Sequence, residues 1–467
     1  MKTSISYDSI HRAFNPRSIA VVGANPAPEK VGYTILNSIV SGNFPGEIYP
    51  IHPRYQEIMG LKTYPDLSEI GEPIDLAVLI LNQEATVREA EKCGKLGVKA
   101  LLCVSGGFRE VGDEGQRLEK ELIAIAERYD MAVIGPNTLG IINTHADLCS
   151  IFYAFDFVRG NISFLTQSGG VGYSILMKVI ERGLGISKWI GIGNASILDP
   201  TDYLLYLAED PHTAVIGMFL EGVEQARSFV QTAAKVVLKK PVVVYKAGRS
   251  GEVGNLTLSH TGSLAGSYRM FKDIFEQFGI ITAENINQLL AYCEALAVQN
   301  YSPGGNIGII THTAGPSIVV AEELAGTGCS LPPLSPEAIA NIKKIMGENP
   351  SVQLKNPLDV AGPGFQAERF GKLAHYMLKE PQIDLLLAIF ARHDFWRFPS
   401  EELIDAYRKF GKPIVAAYLS TAAEIKKDRE VLEPAGIPVF ATPEEAAWGA
   451  VALVHRGRYL KKKGYLS

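Results

Sequence analysis

Two stretches of this chain repeat one another, and the repeat limits the folds open to it. Gly160-Asn-Ile-Ser-Phe-Leu-Thr166-Gln-Ser-Gly-Gly170 matches Gly305-Asn-Ile-Gly-Ile-Ile-Thr311-His-Thr-Ala-Gly315 at five of eleven positions. Each stretch is a short apolar run, then a loop of small and hydroxyl residues, then a helical pattern. Further on, Leu198-Asp199 answers Leu358-Asp359, and Lys240-Pro-Val-Val-Val-Tyr245 answers Lys412-Pro-Ile-Val-Ala-Ala417. Buried-strand runs alternating with helical patterns build parallel sheets with crossover helices. Residues 146–300 and 301–467 are therefore expected to be two copies of one flavodoxin-sized α/β domain.

A third module precedes them, over residues 1–145. Its strands are expected at Ser18–Gly23, Asp75–Leu81, Ala100–Val104 and Met131–Gly135. The turn after the first strand, Gly23-Ala-Asn-Pro, is not a dinucleotide fingerprint: Asn25 stands where the second glycine belongs, and the next glycine is Gly32. A nucleotide-type ligand over the strand ends is still the expectation for an open sheet. A length of 467 residues suits three such domains. A net charge of −5 gives no reason to expect nucleic acid or an anionic membrane as partner. The five cysteines include no CxxC pair, and the N-terminus has no apolar leader run, so a reducing, cytoplasmic location is expected. No apolar run is long enough to span a bilayer.

The copies differ in one place. After its Lys-Pro strand the first copy continues through Lys246-Ala-Gly-Arg-Ser-Gly to Leu258-Ser-His260-Thr-Gly-Ser263, where the second copy passes from Tyr418-Leu-Ser420 into a charged helical pattern. One copy does without the insertion, so the fold does not need it. His260 sits among Ser259, Thr261, Gly262 and Ser263, where little can bury an imidazole and hydroxyls and backbone N–H groups abound. That setting suits a histidine that carries an anion. The bland alternatives are a surface histidine or a neighbour of a helix cap. His312, in the second copy's loop, reads as a polar residue tolerated beside a glycine turn.

Glu221 follows the apolar run Ala214–Leu220, and the C-terminal end of a buried parallel strand is where such folds keep ligand-facing groups. Its carboxylate can accept one imidazole N–H, fixing the tautomer and making the other nitrogen the nucleophile; otherwise it caps the next helix. Ser168-Gly169-Gly170 reads as an anion cradle at a helix N-terminus, or as a plain strand–helix turn. The context is not GxSxG, so Ser168 is not a hydrolase nucleophile. Asn137, in Gly135-Pro-Asn137, either bonds a ligand or closes a turn. No metal-ligand spacing and no Walker A lysine occur.

Taken in order, Val21-Val-Gly-Ala24 with Val31-Gly32, Ile48-Tyr-Pro-Ile-His-Pro53, Gly106-Gly-Phe108, Gly135-Pro-Asn137, Gln167-Ser-Gly169, Gly191-Ile-Gly-Asn194, Glu221-Gly222, Ser259-His-Thr-Gly-Ser263 and Asn356-Pro-Leu-Asp359 resemble the α subunits of ADP-forming acyl-CoA synthetases. These belong to the nucleoside-diphosphate-forming acyl-CoA synthetase superfamily, with succinyl-CoA synthetase. The resemblance runs from about Phe14 to about Val454. It implies a Rossmann-like CoA-binding domain followed by two succinyl-CoA synthetase-like flavodoxin domains. Coenzyme A, as substrate, would lie at Gly23, Ala24, Asn25, Lys30, Val31, Gly32 and Pro53, with Asn137 beside it. His260 would be the phosphorylated histidine and Glu221 its stabilising carboxylate. Ser168, Gly169, Gly170, Ser259, Thr261 and Gly262 would hold the phosphoryl group. Ala314 and Gly315 would form a second helix N-terminus facing it.

The chain departs from the family pattern at Ala24, where serine is usual, at Ala314-Gly315-Pro316, where a glycine pair precedes the proline, and at Glu322-Glu323, where an aspartate is usual. The family's ATP-grasp domains find no room in the three modules. The resemblance therefore implies a separate ATP-grasp β subunit carrying ADP/ATP and Mg²⁺, in an α2β2 hetero-oligomer. It implies the reaction acyl-CoA + ADP + phosphate ⇌ carboxylic acid + CoA + ATP. The rival readings are a non-catalytic acyl-CoA-binding regulatory protein on the same fold, and a succinyl-CoA synthetase proper. The intact Ser-His-Thr-Gly loop opposes the first, and the third module opposes the second.

Overall fold

A computed structural model of the chain describes residues 5–249, 268–298, 300–347 and 352–466. They form two compact units, Met1–Thr282 and Ala283–Ser467. The first unit holds two sheets. In the first sheet, β1 (Ser18–Val22) lies between β2 (Glu47–Ile51) and β5 (Leu76–Leu79), and β6 (Ala100–Cys103) and β7 (Ala132–Ile134) follow. All four pairings are parallel. A small antiparallel hairpin, β3 (Glu57–Ile58) with β4 (Leu61–Lys62), stands apart. Strands β1, β5, β6 and β7 are buried along their whole length, as a parallel sheet covered on both faces demands. Ala20, Leu79, Leu101 and Val133 share one core.

The second sheet runs in the order β14-β13-β12-β10-β11-β8-β9. Its centre is β10 (Arg159–Thr166), flanked by β11 (Ile186–Gly191) and β12 (Val215–Leu220), with β13 (Val242–Lys246) and β14 (Ile281–Ala283) beyond. Two strands from just past the first sheet, β8 (Ile141–Asn143) and β9 (Leu148–Cys149), add to it antiparallel through β11. The chain thus crosses from one sheet to the other between Ile134 and Ile141.

The second unit has one parallel sheet, β16-β15-β17-β18-β19, from β15 (Ile307–Thr311), β16 (Leu358–Asp359), β17 (Leu385–Ala391), β18 (Ile414–Leu419) and β19 (Val439–Phe440). With β10 matched to β15, β11 to β16, β12 to β17, β13 to β18 and β14 to β19, the strand orders coincide. The sequence repeat is thus a repeat of topology, with the duplicated loop leaving the matching interior strand, β10 or β15, in both cases. Phe390, Ile310, Leu358 and Ala416 lie in the core of this unit.

Candidate functional site

Ser168 caps the helix Gly169–Arg182. Its backbone is extended, and its Oγ accepts the Val171 N–H at 3.4 Å. A serine cap contributes about 1 kcal/mol to such a helix. Its amide end carries a partial positive charge. Gly169 and Gly170 are exposed, and a Cβ added to either meets nothing within 4 Å. Packing does not call for glycine there, and its absence of side chain leaves the amides bare. Gly172, two residues on, is a packing glycine: its Cβ would lie 2.6 Å from Thr166 Oγ1.

Glu221 follows β12, the strand beside β10, and is 8% exposed. Its backbone is fixed from both sides. The Glu221 and Gly222 N–H groups donate to Gln167 Oε1 at 2.9 and 3.1 Å, and Glu221 O accepts from Lys246 Nζ at 2.6 Å. Lys246 is itself buried, donates also to Ala247 O, and lies 5.3 Å from the centroid of the Phe271 ring. Burial pulls its ammonium below the ordinary lysine value, and the Glu221 charge pulls the other way. The Glu221 side chain lines a cavity of about 860 Å³ together with Ser168, Gly169, Gly170, Gln167 and Asn137.

One wall of this cavity joins the two sheets of the first unit. Arg109 donates to Glu224 Oε1 at 3.0 Å and to Asn194 O, and its Nε lies 3.6 Å from Glu119 Oε1. Asn194 donates to Glu110 Oε2 at 2.7 Å and accepts from Asn137 Nδ2 at 3.4 Å. The turn carrying Asn194 presses on the turn carrying Asn137. A Cβ at Gly193, whose φ is +55°, would sit 2.3 Å from Pro136 O, so only glycine fits. Asn137 adopts a left-handed φ of 60°, donates its N–H to Ser105 O at 3.0 Å across to the end of β6, and lines the cavity.

The residues read as a CoA site lie elsewhere in the first unit, at the C-terminal ends of β1 and β2. Gly23 N–H donates to Ile51 O at 3.2 Å, joining the two strand ends. The helix Val31–Ser41 begins against this turn; a Cβ on Gly32 would lie 2.0 Å from Gly23 O. Asn25 Oδ1 accepts the Ala27 N–H at 3.0 Å and shapes the turn. No side chain caps the helix at Lys30. Ala24 is buried, whereas Lys30, Val31 and Pro53 are exposed.

In the second unit the matching loop places Thr313 ahead of the helix Ala314–Leu324 without a side-chain cap bond. Ala314 and Gly315 are exposed, and a Cβ on Gly315 meets nothing within 4 Å. His312 has a definite structural task. It occupies the place of Gln167, and its Nε2 accepts the Ala391 N–H at 2.7 Å, as Gln167 Oε1 accepts from Glu221. The reading of His312 as merely tolerated understates it: it latches the loop to the end of the neighbouring strand. Its ring lies 3.9 Å from Phe365 and 4.9 Å from Phe390.

Burial pulls the His312 imidazole below its ordinary value. The unfolded chain then binds a proton more readily than the folded one. The latch's contribution is intact above about pH 6.5 and is lost as pH falls below it. His312→Gln, copying the other loop, is expected to flatten this dependence. Between pH 7 and 5 the wild-type Tm should fall further than the variant's. Equal drops in a thermal melt series would remove the titrating latch.

Ser259, His260, Thr261 and Gly262 lie outside the described residues. They fall between Lys246, at the end of β13, and the helix Tyr268–Gln277. Of the other residues singled out in the sequence, Glu221, Ser168, Gly169, Gly170 and Asn137 share one cavity. Gly23, Ala24, Asn25, Lys30, Val31, Gly32 and Pro53 share one sheet edge. Sequence reasoning missed Gln167, Lys246 and the Arg109–Glu110–Asn194 wall. The alignment of the two copies, which sets Gln167 at the position of His312, held the signal for Gln167.

Residues 17–144 match the model of a CoA binding domain, and residues 159–296 that of a succinyl-CoA ligase like flavodoxin domain. The chain is 35% identical over 451 residues to the alpha subunit of ADP-forming acetate–CoA ligase II from Pyrococcus furiosus, covering 95% of this chain and 97% of that one. It is also 35% identical over 455 residues to ADP-forming acetate–CoA ligase I from Archaeoglobus fulgidus, covering 97% of this chain and 64% of that protein. Among solved structures it is similar to the dinucleotide forming acetyl-coenzyme A synthetase 1 of Ca. Korarchaeum cryptofilum in complex with phosphate and ADP. The TM-score is 0.87 at 31% identity, over 98% of this chain and all of that one. The chain belongs to the family of ADP-forming acetate–CoA ligases and their alpha subunits.

Proposed function

We propose that this chain is the CoA- and phosphohistidine-bearing subunit of an ADP-forming acyl-CoA ligase, and that it passes a phosphoryl group from an acyl phosphate to ADP through His260. One observation carries the reading: Glu221 and the bare amide end of the helix Gly169–Arg182 line the same cavity. The carboxylate suits an imidazolium and the amides suit a phosphoryl group; a phosphohistidine needs both. CoA is assigned to the strand ends at Gly23–Gly32 and Pro53, where an uncapped helix N-terminus adjoins the exposed Lys30.

Phosphate attacks the thioester carbonyl, the C–S bond breaks, and CoA leaves as a thiol once its sulfur takes a proton. The product is an acyl phosphate. One nitrogen of neutral His260 then attacks phosphorus, and the P–O bond to the acyl group breaks with release of the carboxylate. The imidazolium so formed keeps its N–H towards Glu221, which stabilises the positive charge. The Ser168–Gly170 amides face the charge that spreads over the phosphoryl oxygens.

ADP receives the phosphoryl group on a separate ATP-grasp β subunit, where Mg²⁺ is also assigned, in an α2β2 assembly. Among the described residues no three His, Cys, Asp or Glu side chains gather to hold a metal. Ala314 and Gly315 supply a second exposed helix N-terminus for the travelling phosphoryl group. The chain incubated with acetyl phosphate should acquire acid-labile phosphate that maps to His260. Stable incorporation elsewhere, or none in the presence of the β subunit, overturns the assignment.

A further inference from the structure

A buried cation ends the strand that precedes the His260 stretch. Lys246, the last residue of β13, is 2% exposed. Its ammonium donates to Glu221 O at 2.6 Å and to Ala247 O at 2.8 Å, and it lies 5.3 Å from the centroid of the Phe271 ring. These three partners come from three parts of the chain. Glu221 follows β12. Ala247 opens the stretch that carries His260, and Phe271 lies on the helix Tyr268–Gln277 that follows it. Phe271 is itself buried, edge-on to Phe275 at 5.7 Å, and Phe275 packs on Phe229 at 6.1 Å. One side chain thus gathers both ends of the histidine's stretch onto the main chain of the carboxylate.

Burying an ammonium is costly even when it is hydrogen-bonded, and the fold does not ask for one here. Lys246 pairs with Leu220 across β12 and β13, as Tyr418 pairs with Phe390 across β17 and β18, so Tyr418 holds the same place in the second copy. Tyr418 is also buried, and its ring packs on Phe398 at 4.6 Å. An aromatic ring completes the copy that lacks the insertion; the cation occurs in the copy that has it. We infer that Lys246 is a positioning residue for phosphoryl transfer: it holds Glu221 and both ends of the His260 stretch in register, so that the imidazole meets the carboxylate as it attacks phosphorus. The inference rests on the ligase reading above. Lys246 acts here through the main chain and touches no reacting atom, and a misplacement of about 1 Å slows such a step by up to about 10²-fold.

The test uses this chain with its β subunit, acetyl phosphate as phosphoryl donor, and acetyl-CoA for the thioester half of the reaction. In Lys246→Met the rate at which His260 gains acid-labile phosphate, read by rapid quench, should fall about tenfold to a hundredfold. Phosphate-dependent exchange of CoA into acetyl-CoA, and the KM for acetyl-CoA, should move far less. Lys246→Arg, which keeps the charge and the donors, should recover part of the rate. Adding Lys246→Met to Glu221→Gln should cost much less than the product of the two single losses, because both act on one contact. Where Lys246→Met does not fold, Lys246→Gln takes its place in each comparison. Phosphorylation at the wild-type rate, phosphorylation and exchange lowered alike, Lys246→Arg no better than Lys246→Met, or losses that multiply in the double variant overturn the assignment and leave the ligase reading standing. Wild-type enzyme whose His260 stays unphosphorylated overturns the ligase reading and the assignment with it.

Discussion

His260→Ala should abolish ATP formation from acyl-CoA, ADP and phosphate, lowering kcat by about 10⁴-fold or more, the scale on which loss of a covalent nucleophile acts. The loss should fall on one half of the reaction. On the proposed route, attack of phosphate on the thioester does not use the imidazole, so the variant should still exchange acyl-CoA and phosphate with acyl phosphate and CoA. Isotope exchange between free CoA and acyl-CoA, dependent on phosphate, reads this directly. Exchange that survives while ATP synthesis vanishes places the histidine after the acyl phosphate. Appreciable ATP synthesis by the variant, assayed with its β subunit, would falsify the phosphohistidine route.

Glu221→Gln is expected to lower kcat by roughly 10²–10⁴, the range in which a positioned acid–base partner contributes, while KM for acyl-CoA stays near its wild-type value. The backbone contacts of the strand end survive this substitution. What holds the strand end are the Glu221 and Gly222 N–H groups on Gln167 and the Glu221 carbonyl on Lys246, all of them backbone contacts. The amide keeps the volume and removes the charge that an imidazolium needs beside it. The phosphorylated intermediate should form more slowly, seen in rapid-quench experiments, and Glu221→Asp should restore part of the rate. A variant that phosphorylates at the wild-type rate would assign Glu221 to the fold alone.

The alternation of apolar runs with helical patterns was enough to read the sheets, because strands buried on both faces are continuous in sequence. The duplication was legible for a related reason: Thr166 and Thr311, Gly170 and Gly315 sit where each copy's first strand of the repeat turns into its helix, and the strand orders agree around them. Glu221 was legible because a lone carboxylate closing an apolar run marks a strand end. The crossing of β8 and β9 to the second sheet was not. Three-residue and two-residue strands carry no period, and their pairing with β11 is set by what lies beside them in space. Nor was the cavity wall, since Arg109, Glu119 and Asn194 meet only after two sheets have formed. Asn137 illustrates the mixture: its left-handed turn follows from local chemistry, while its bond to Asn194 depends on the whole unit.

The paired latches say something about how the two copies diverged. Gln167 and His312 share no side-chain chemistry beyond one acceptor atom for the N–H at the end of the neighbouring strand. Descent from a common unit has therefore preserved a lone pair rather than a residue. The copy with Glu221 at its strand end carries the acceptor that does not titrate. The other copy, with no such carboxylate at its strand end, is free to use one that does. Remote members of this lineage are better sought by acceptor capacity at that position than by letter identity, and exchanging the two side chains between loops becomes a way to add or remove proton sensitivity without redesigning either sheet.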